Sequence, residues 1–404
     1  MDSSERAPDE TRAVSHQPPV ARISRLFFID NLRVLLIVLV VIHHLAITYG
    51  AVGSWYYQDP AKDALTSALL TIVTATNQAF FLGFFFMISA YFVPESCDRK
   101  GAGPFLRDRL LRLGIPLLVY DIIIDPFVVF MAGGFQGSYW TFYSNALLTM
   151  SGIGQGPSWF LEALLYFVIG YALWRVFRNT RSSPRIETGY DNPVDNRGRR
   201  PYPAYWQMLA YVSGLATADF LIRLQLPINW DFQLLNFQFP FFPQYISMFA
   251  IGIIAYRRGW FTKVPDSMGK SWSIVAIASI SLFPVLAIAG GAVDHIEYFE
   301  GGVHWQALAY ALWEAVVAVA MITSLLVLFR RRFNTHGRVR KFLSANAYAV
   351  YIIHPIIVVG VGFGLHTVAV YPLLKFVVGV IIAVPACFGL AGLIQTIPFA
   401  KRIL

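Results

Sequence analysis

The sequence predicts an all-α integral membrane protein that crosses the bilayer about ten times with both termini in the cytoplasm. Three observations carry that prediction. Of the 404 residues, 56% are hydrophobic and 14% charged, whereas soluble domains hold roughly 45–50% and about 25%. Apolar stretches of about 17–25 residues, long enough for roughly 30 Å of hydrocarbon, recur along nearly the whole chain. The basic residues are confined to alternate loops. These features exclude a soluble multidomain enzyme and a low-complexity polymer, and 33 Phe, 20 Tyr and 10 Trp exclude a disordered chain.

Taken in order, residues 1–25 read as a disordered cytoplasmic tail: polar, rich in Ser, Pro and charge, and without the apolar core of a signal peptide. The membrane domain runs over 26–398, and 399–404 form a short cytoplasmic tail. Within it, apolar segments fall near 26–49, 65–93, 111–132, 158–178, 205–226, 240–257, 272–291, 305–329, 346–368 and 372–396. Each is expected to be a helix, because only a helix satisfies its own backbone hydrogen bonds in lipid. No internal repeat is visible. The longest polar insert, 179–203, is rich in Arg, Asn and Pro, and the loops near 133–157 and 227–243 are rich in aromatic and amide side chains. That composition suits either sugar stacking or an interfacial aromatic belt. Cys97, in a basic loop, and Cys387, in an apolar run, imply neither a disulfide framework nor a cysteine metal site.

The charges set the topology. All but four of the 32 Lys and Arg residues lie in the tails or in the loops after the second, fourth, sixth and eighth segments. The exceptions are Arg33, Lys62, Arg223 and Lys375. Ten crossings with both ends inside reproduce that alternation. The net charge of +9 is therefore topological, and no nucleic-acid partner is expected.

Ionisable groups within the apolar segments are the informative exceptions, because each is costly to bury in lipid. Arg33 and His44 on the first segment are eleven residues apart, which places them on one side of a helix and about 16 Å apart along its axis. A guanidinium suits an anionic headgroup and a neutral imidazole suits a general base. Alternatively, Arg33 snorkels to the interface and His44 bonds a neighbouring helix. Arg109 and Arg112, spaced i,i+3 before the third segment, are expected to form a two-guanidinium clamp or simply to add inner charge. On the ninth segment Tyr348, Tyr351 and His354 precede Pro355, and His354 reads either as a second functional histidine or as a structural hydrogen bond. Asp121, Asp125, Asp219 and Glu314 are further acids at membrane depth, each read as orienting a histidine, binding an acceptor hydroxyl or only pairing with a neighbouring polar group. Asp30 is placed to hold Arg33.

In this order the elements resemble the membrane acyltransferase 3 family, which O-acylates carbohydrates and related acceptors. Its arginine–ten residues–histidine motif is met by Arg33 and His44. Its aromatic phrase on the second helix is met by Phe85-Phe86-Met87-Ile88-Ser89-Ala90-Tyr91, with Ala90 where glycine is usual. Arg109 and Arg112 match its R-x-x-R pair, and Trp159-Phe160-Leu161 its W-F-L segment. Phe249 to Gly252 with Ala255-Tyr256-Arg257 match the close of the sixth helix, and Tyr348, Tyr351, His354 and Pro355 match the ninth-helix phrase. Some members carry a glutamate several residues beyond the fourth-helix Trp, whereas Glu162 follows Trp159 by only three.

The resemblance implies a transferase of groups other than amino-acyl, in a cell membrane, with a bacterial plasma membrane expected. Cytoplasmic acyl-CoA, with acetyl-CoA foremost, would be the co-substrate, no metal is needed, and a glycan or small-molecule hydroxyl would be the acceptor. His44 and Arg33 are the expected catalytic residues. Arg109, Arg112, Ser89 and Tyr348 would bind the cofactor, and Trp159, Glu162, His354 and Tyr351 the acceptor. Membrane lipid is the other expected partner. The competing readings are a proton-coupled transporter or flippase and a non-catalytic assembly factor.

Overall fold

The computed structural model describes residues 26–60, 63–149, 156–181, 201–232, 237–335 and 337–403. The tail 1–25, Lys62 and most of the 179–203 insert lie outside the described residues, as do parts of the loops 133–157 and 227–243.

Every expected apolar segment is a helix. α1 is Phe27–Thr48 and α2 is Ala64–Tyr91, continued by α3, Val93–Lys100. α4 covers Ala102–Ala132, α5 Tyr139–Thr149 and α6 Trp159–Arg181. α7 is Tyr205–Arg223, α8 Phe242–Arg258 and α9 Asp266–Ala289. α10 is Trp305–Arg332, α11 Arg338–Gly364 and α12 Pro372–Ile394. Among the described residues nine helices are long and apolar enough to cross a membrane. α7 is not one of them; its 19 residues include Gln207, Ser213, Thr217, Asp219 and Arg223. It packs along α10, which is one.

Three boundaries depart from the sequence reading. α4 begins nine residues before its apolar run, so Arg109 and Arg112 stand inside a helix instead of ahead of one. α11 starts at Arg338, because Arg338, Arg340 and Lys341 extend it past the apolar stretch. The aromatic loop after α4 contains a helix of its own, α5, and Cys97 is buried on α3 rather than exposed in a loop.

α1 is the hub. It is apolar on every side, the pattern of a helix with no solvent face, and it packs against α2, α10, α11 and α12. Leu32, Leu36, Val40 and Leu45 are buried along it. α2 in turn holds α8, and the closest approach is at Gly252, where a Cβ would collide with the Met87 carbonyl oxygen and the Ala90 methyl. A glycine facing Ala90 therefore offsets the bulkier residue at that position of the second-helix phrase.

Ion pairs fasten the ends. At the basic end Arg330 binds Asp266 at 2.5 Å, and Asp98 is shared by Arg175 at 2.8 Å and Arg257 at 2.9 Å. At the opposite end Lys375 of α12 reaches Asp59 at 3.0 Å, with both side chains almost wholly buried. Asp63 caps α2 by accepting from the Thr66 backbone N–H at 2.9 Å and from the Tyr371 hydroxyl at 2.7 Å. Those bonds, Thr66 first, hold its carboxyl below the usual carboxylate range. Its contribution is therefore present above that range and is lost as the pH falls through the lowered pKa.

The Lys375–Asp59 pair gives a direct test. Lys375→Met takes the ammonium away from the buried Asp59 carboxylate and is expected to cost about 3–5 kcal/mol, read as a lower melting temperature in detergent. The double change with Asp59→Asn should recover much of that loss, and equal melting for all three proteins would show the pair to be idle.

Candidate functional site

α1 ends one turn beyond His44, and the chain then doubles back. Gly50, at φ +129°, takes a backbone conformation that suits glycine, and the Ala51 N–H donates to the Ala46 carbonyl at 2.9 Å. The return is fastened by Asp59, whose N–H donates to the Thr48 carbonyl at 2.8 Å. The loop so formed lays the Trp55 ring on His44, with centroids 3.7 Å apart and planes 16° apart. Trp55 is a site residue that sequence reasoning missed. Its signal was the triplet Trp55-Tyr56-Tyr57 in the short connection directly after the histidine helix.

α11 supplies the second imidazole. His354 is fully buried, and its ring lies 5.2 Å from that of His44 with planes again 16° apart. The reason for its orientation is in the sequence. Pro355 has no N–H, so the carbonyl four residues earlier, that of Tyr351, loses its helical donor. His354 Nδ1 replaces that donor at 2.7 Å from the Tyr351 oxygen. A carbonyl only accepts, so Nδ1 carries the proton and Nε2 carries the lone pair. His43 turns to the other side of α1 and stacks on Phe81 at 5.1 Å. Four buried nitrogens in this cluster have no hydrogen-bond partner: His43 Nδ1, His44 Nδ1, Trp55 Nε1 and His354 Nε2.

Beside the imidazoles lies a network of tyrosines and acids. α4 widens into π-helical turns at Leu110–Gly114 and Tyr120–Ile124, a geometry that recurs at functional sites. The second turn presents Tyr120 and Asp121, with Asp125 just beyond it. The Tyr56 hydroxyl donates to the fully buried Asp125 carboxylate and lies 2.9 Å from the Tyr120 hydroxyl. Ser158 donates to Asp121 at 2.8 Å, and the Tyr351 hydroxyl donates to the Pro157 carbonyl. Gly156 admits both tyrosine hydroxyls, because any side chain there would strike them.

The other expected site residues are spread along the bundle. Tyr348, Tyr351 and His354 form a stripe on α11 at three-residue intervals. The Tyr348 hydroxyl donates to the Arg112 carbonyl at 2.8 Å, which ties that stripe to α4. Arg33 stands three turns from His44, with its guanidinium 4.8 Å over the Phe92 ring and 3.8 Å from Asp30. Ser89 precedes Phe92 by three residues and is half-buried. Arg109 and Arg112 stay close to each other, and both act on Asp108. Arg109 lies over Phe105 at 5.4 Å, whereas Arg112 is largely exposed and 3.6 Å from Asp108. A π-helical turn, Leu110–Gly114, begins between them. Trp159 stacks on Tyr245 at 5.8 Å, and Glu162 accepts from the exposed Tyr166 at 2.8 Å. Of the remaining acids, Glu314 accepts from Arg223 of α7, and Asp219 neighbours that same guanidinium one turn earlier. Among the described residues, His, Cys, Asp and Glu form no group of three able to hold a metal ion.

Tyr56 tests the network independently of turnover. Tyr56→Phe leaves the buried Asp125 carboxylate without that donor, and a loss of about 1–3 kcal/mol is expected in unfolding measurements. Unchanged stability would remove the bond from the account.

Fold and site together define a polytopic, all-helical membrane protein with paired imidazoles enclosed in its bundle. The chain belongs to the acyltransferase domain family, acyltransferase 3, whose sequence model matches residues 26–392, nearly its whole length. It is a multi-pass membrane acyltransferase. No curated protein and no solved structure matches it significantly.

Proposed function

We propose that the protein moves an acyl group, acetyl or another short one, from cytoplasmic acyl-CoA to a hydroxyl of a carbohydrate or glycosylated acceptor. The observation that carries this reading is the half-buried His44 ring, stacked between loop and bundle with an unpartnered nitrogen, three turns from a guanidinium on the same helix. A long donor with phosphates at one end and a thioester at the other matches that separation of about 16 Å.

In the proposed reaction His44 takes the proton of the acceptor hydroxyl as its oxygen attacks the thioester carbonyl. The C–O bond forms, the C–S bond breaks, and the departing CoA thiolate recovers the proton. Arg33, Arg109 and Arg112 bind the CoA phosphates, and Ser89 and Tyr348 line the donor's path. Trp159, Tyr351, His354 and Glu162 stand on the acceptor side. The basic loops face the cytoplasm in this reading, as the distribution of Lys and Arg favours.

His44→Ala is expected to lower acyl transfer in membranes by about 100-fold or more at matched protein level. Turnover equal to that of the parent protein would remove His44 from the chemistry. Arg109→Ala should raise KM for acyl-CoA and leave acceptor affinity alone, and the reverse pattern would reassign that residue.

The second reading, a proton-coupled transporter of a polar lipid or sugar, is favoured by the wholly buried Asp219, Arg223 and Glu314, because charges at membrane depth often mark transport pathways. Radiolabelled acyl-CoA given to purified protein separates the two. A transferase binds and consumes it, and a transporter does neither.

A further inference from the structure

The three near-parallel rings around His44 have a geometry that says more than that they touch. Their centroids are 3.7 Å apart for His44 and Trp55, 5.2 Å for His44 and His354, and 6.0 Å for Trp55 and His354. These sides make a nearly right-angled triangle with His44 at the corner. Trp55 lies over the face of His44, so His354 lies beside it, edge towards edge. A centre-to-centre spacing of about 5 Å leaves about 3 Å between ring nitrogens that face each other, the length of a hydrogen bond.

The unpaired nitrogens of these two rings are complementary. His354 Nε2 holds a lone pair, because Nδ1 gives its proton to the Tyr351 carbonyl, and it has no partner. His44 Nδ1 is likewise buried and without a partner. Leaving two such atoms unpaired costs about 1–3 kcal/mol each. An imidazole can turn by 180° about its Cβ–Cγ bond with little change of outline, so pairing them demands almost no movement of the surroundings. His43 stands edge-on to His44 at 5.5 Å between centroids and stacks on Phe81 instead.

We propose that His354 is the positioning residue for His44: its Nε2 accepts a hydrogen bond from His44 Nδ1–H, leaving His44 Nε2 as the unprotonated nitrogen that meets the acceptor hydroxyl. The chain of contacts runs from the carbonyl freed by Pro355, through His354, to His44. Each link fixes the proton position of the next, which is the logic of a base held by a third group. When His44 becomes imidazolium, the same bond strengthens, because its donor is then charged. The catalytic half of this proposal rests on the acyl-transfer reading, and the tautomer does not.

Two measurements test it. Nitrogen-15 NMR of histidine-labelled protein should find His44 protonated on Nδ1 and bare on Nε2, and a His44 protonated on Nε2 would overturn the pair whatever the turnover. In acyl-transfer assays His354→Leu should lower kcat about 100-fold with KM for acyl-CoA within about twofold. His354→Gln, whose amide oxygen can accept from Nδ1–H, should restore at least about tenfold of that loss. A folded His354→Leu protein, eluting as the parent does in detergent, with kcat within about twofold of the parent's would sink the proposal while leaving His44 and the donor assignment intact. A parent protein that shows the expected tautomer but consumes no acyl-CoA would instead retire the acyl-transfer reading and keep the pair.

Discussion

Hydrocarbon offers no hydrogen bonds, so a polar group at membrane depth must find its partner inside the protein. Most of this chain obeys that constraint through helix geometry alone, and its buried charges obey it by pairing, Lys375 with Asp59 and Arg223 with Glu314. One proline disturbs the arrangement and so creates the site. Pro355 orphans the Tyr351 carbonyl, His354 turns to satisfy it, and its other nitrogen is left unpartnered near other unpartnered ring nitrogens. A helix defect costs stability wherever nothing answers it. Here the answer is supplied by a side chain whose second nitrogen is left without a partner.

The fold was legible because the bilayer imposes a coarse code. Length and apolarity located every long helix, and the distribution of Lys and Arg gave an expected orientation. What escaped were features on which the code is silent. Arg338, Arg340 and Lys341 read as loop because they are charged, yet they form the first turn of α11, where long basic side chains can extend beyond the lipid. The π-helical turns of α4 leave no mark on composition, so the pitch of the helix that carries Arg109 and Arg112 could not be read from the sequence.

The site was legible in part for the same reason. Arg33, His44 and His354 stood out as ionisable residues in apolar runs, and Asp30 was recognised as the neighbour of Arg33 from helical spacing. Trp55 and Tyr56 did not stand out, because an aromatic residue in a short loop between membrane helices reads as part of the interfacial belt. Their placement depends on a chain reversal at Gly50 and on backbone bonds to Ala46 and Thr48, which are tertiary facts. The acids divided in the same way: depth was readable, but the partner of each was decided by which helices pack together.

That packing separates two kinds of polar burial. The Arg223 cluster joins α7 to α10, and the Arg223 carbonyl accepts from the Gly302 N–H at 3.0 Å, so it also holds the connection entering α10. The Phe241 ring covers the guanidinium at 5.0 Å. Its charges largely answer one another, which is what a structural tie requires. The cluster on α1, α4 and α11 differs in composition: rings, hydroxyls and carboxylates without Arg or Lys, with four unpartnered ring nitrogens where the Arg223 cluster leaves Arg223 Nε and Asp219 Oδ1. A buried ion pair is destabilised by removing either member, and its charges are spent largely on each other. An imidazole edge with an unused nitrogen does have something to offer. The same physical cost that makes such an atom rare in a membrane protein therefore makes its clustering around His44 the strongest structural reason to place the chemistry there.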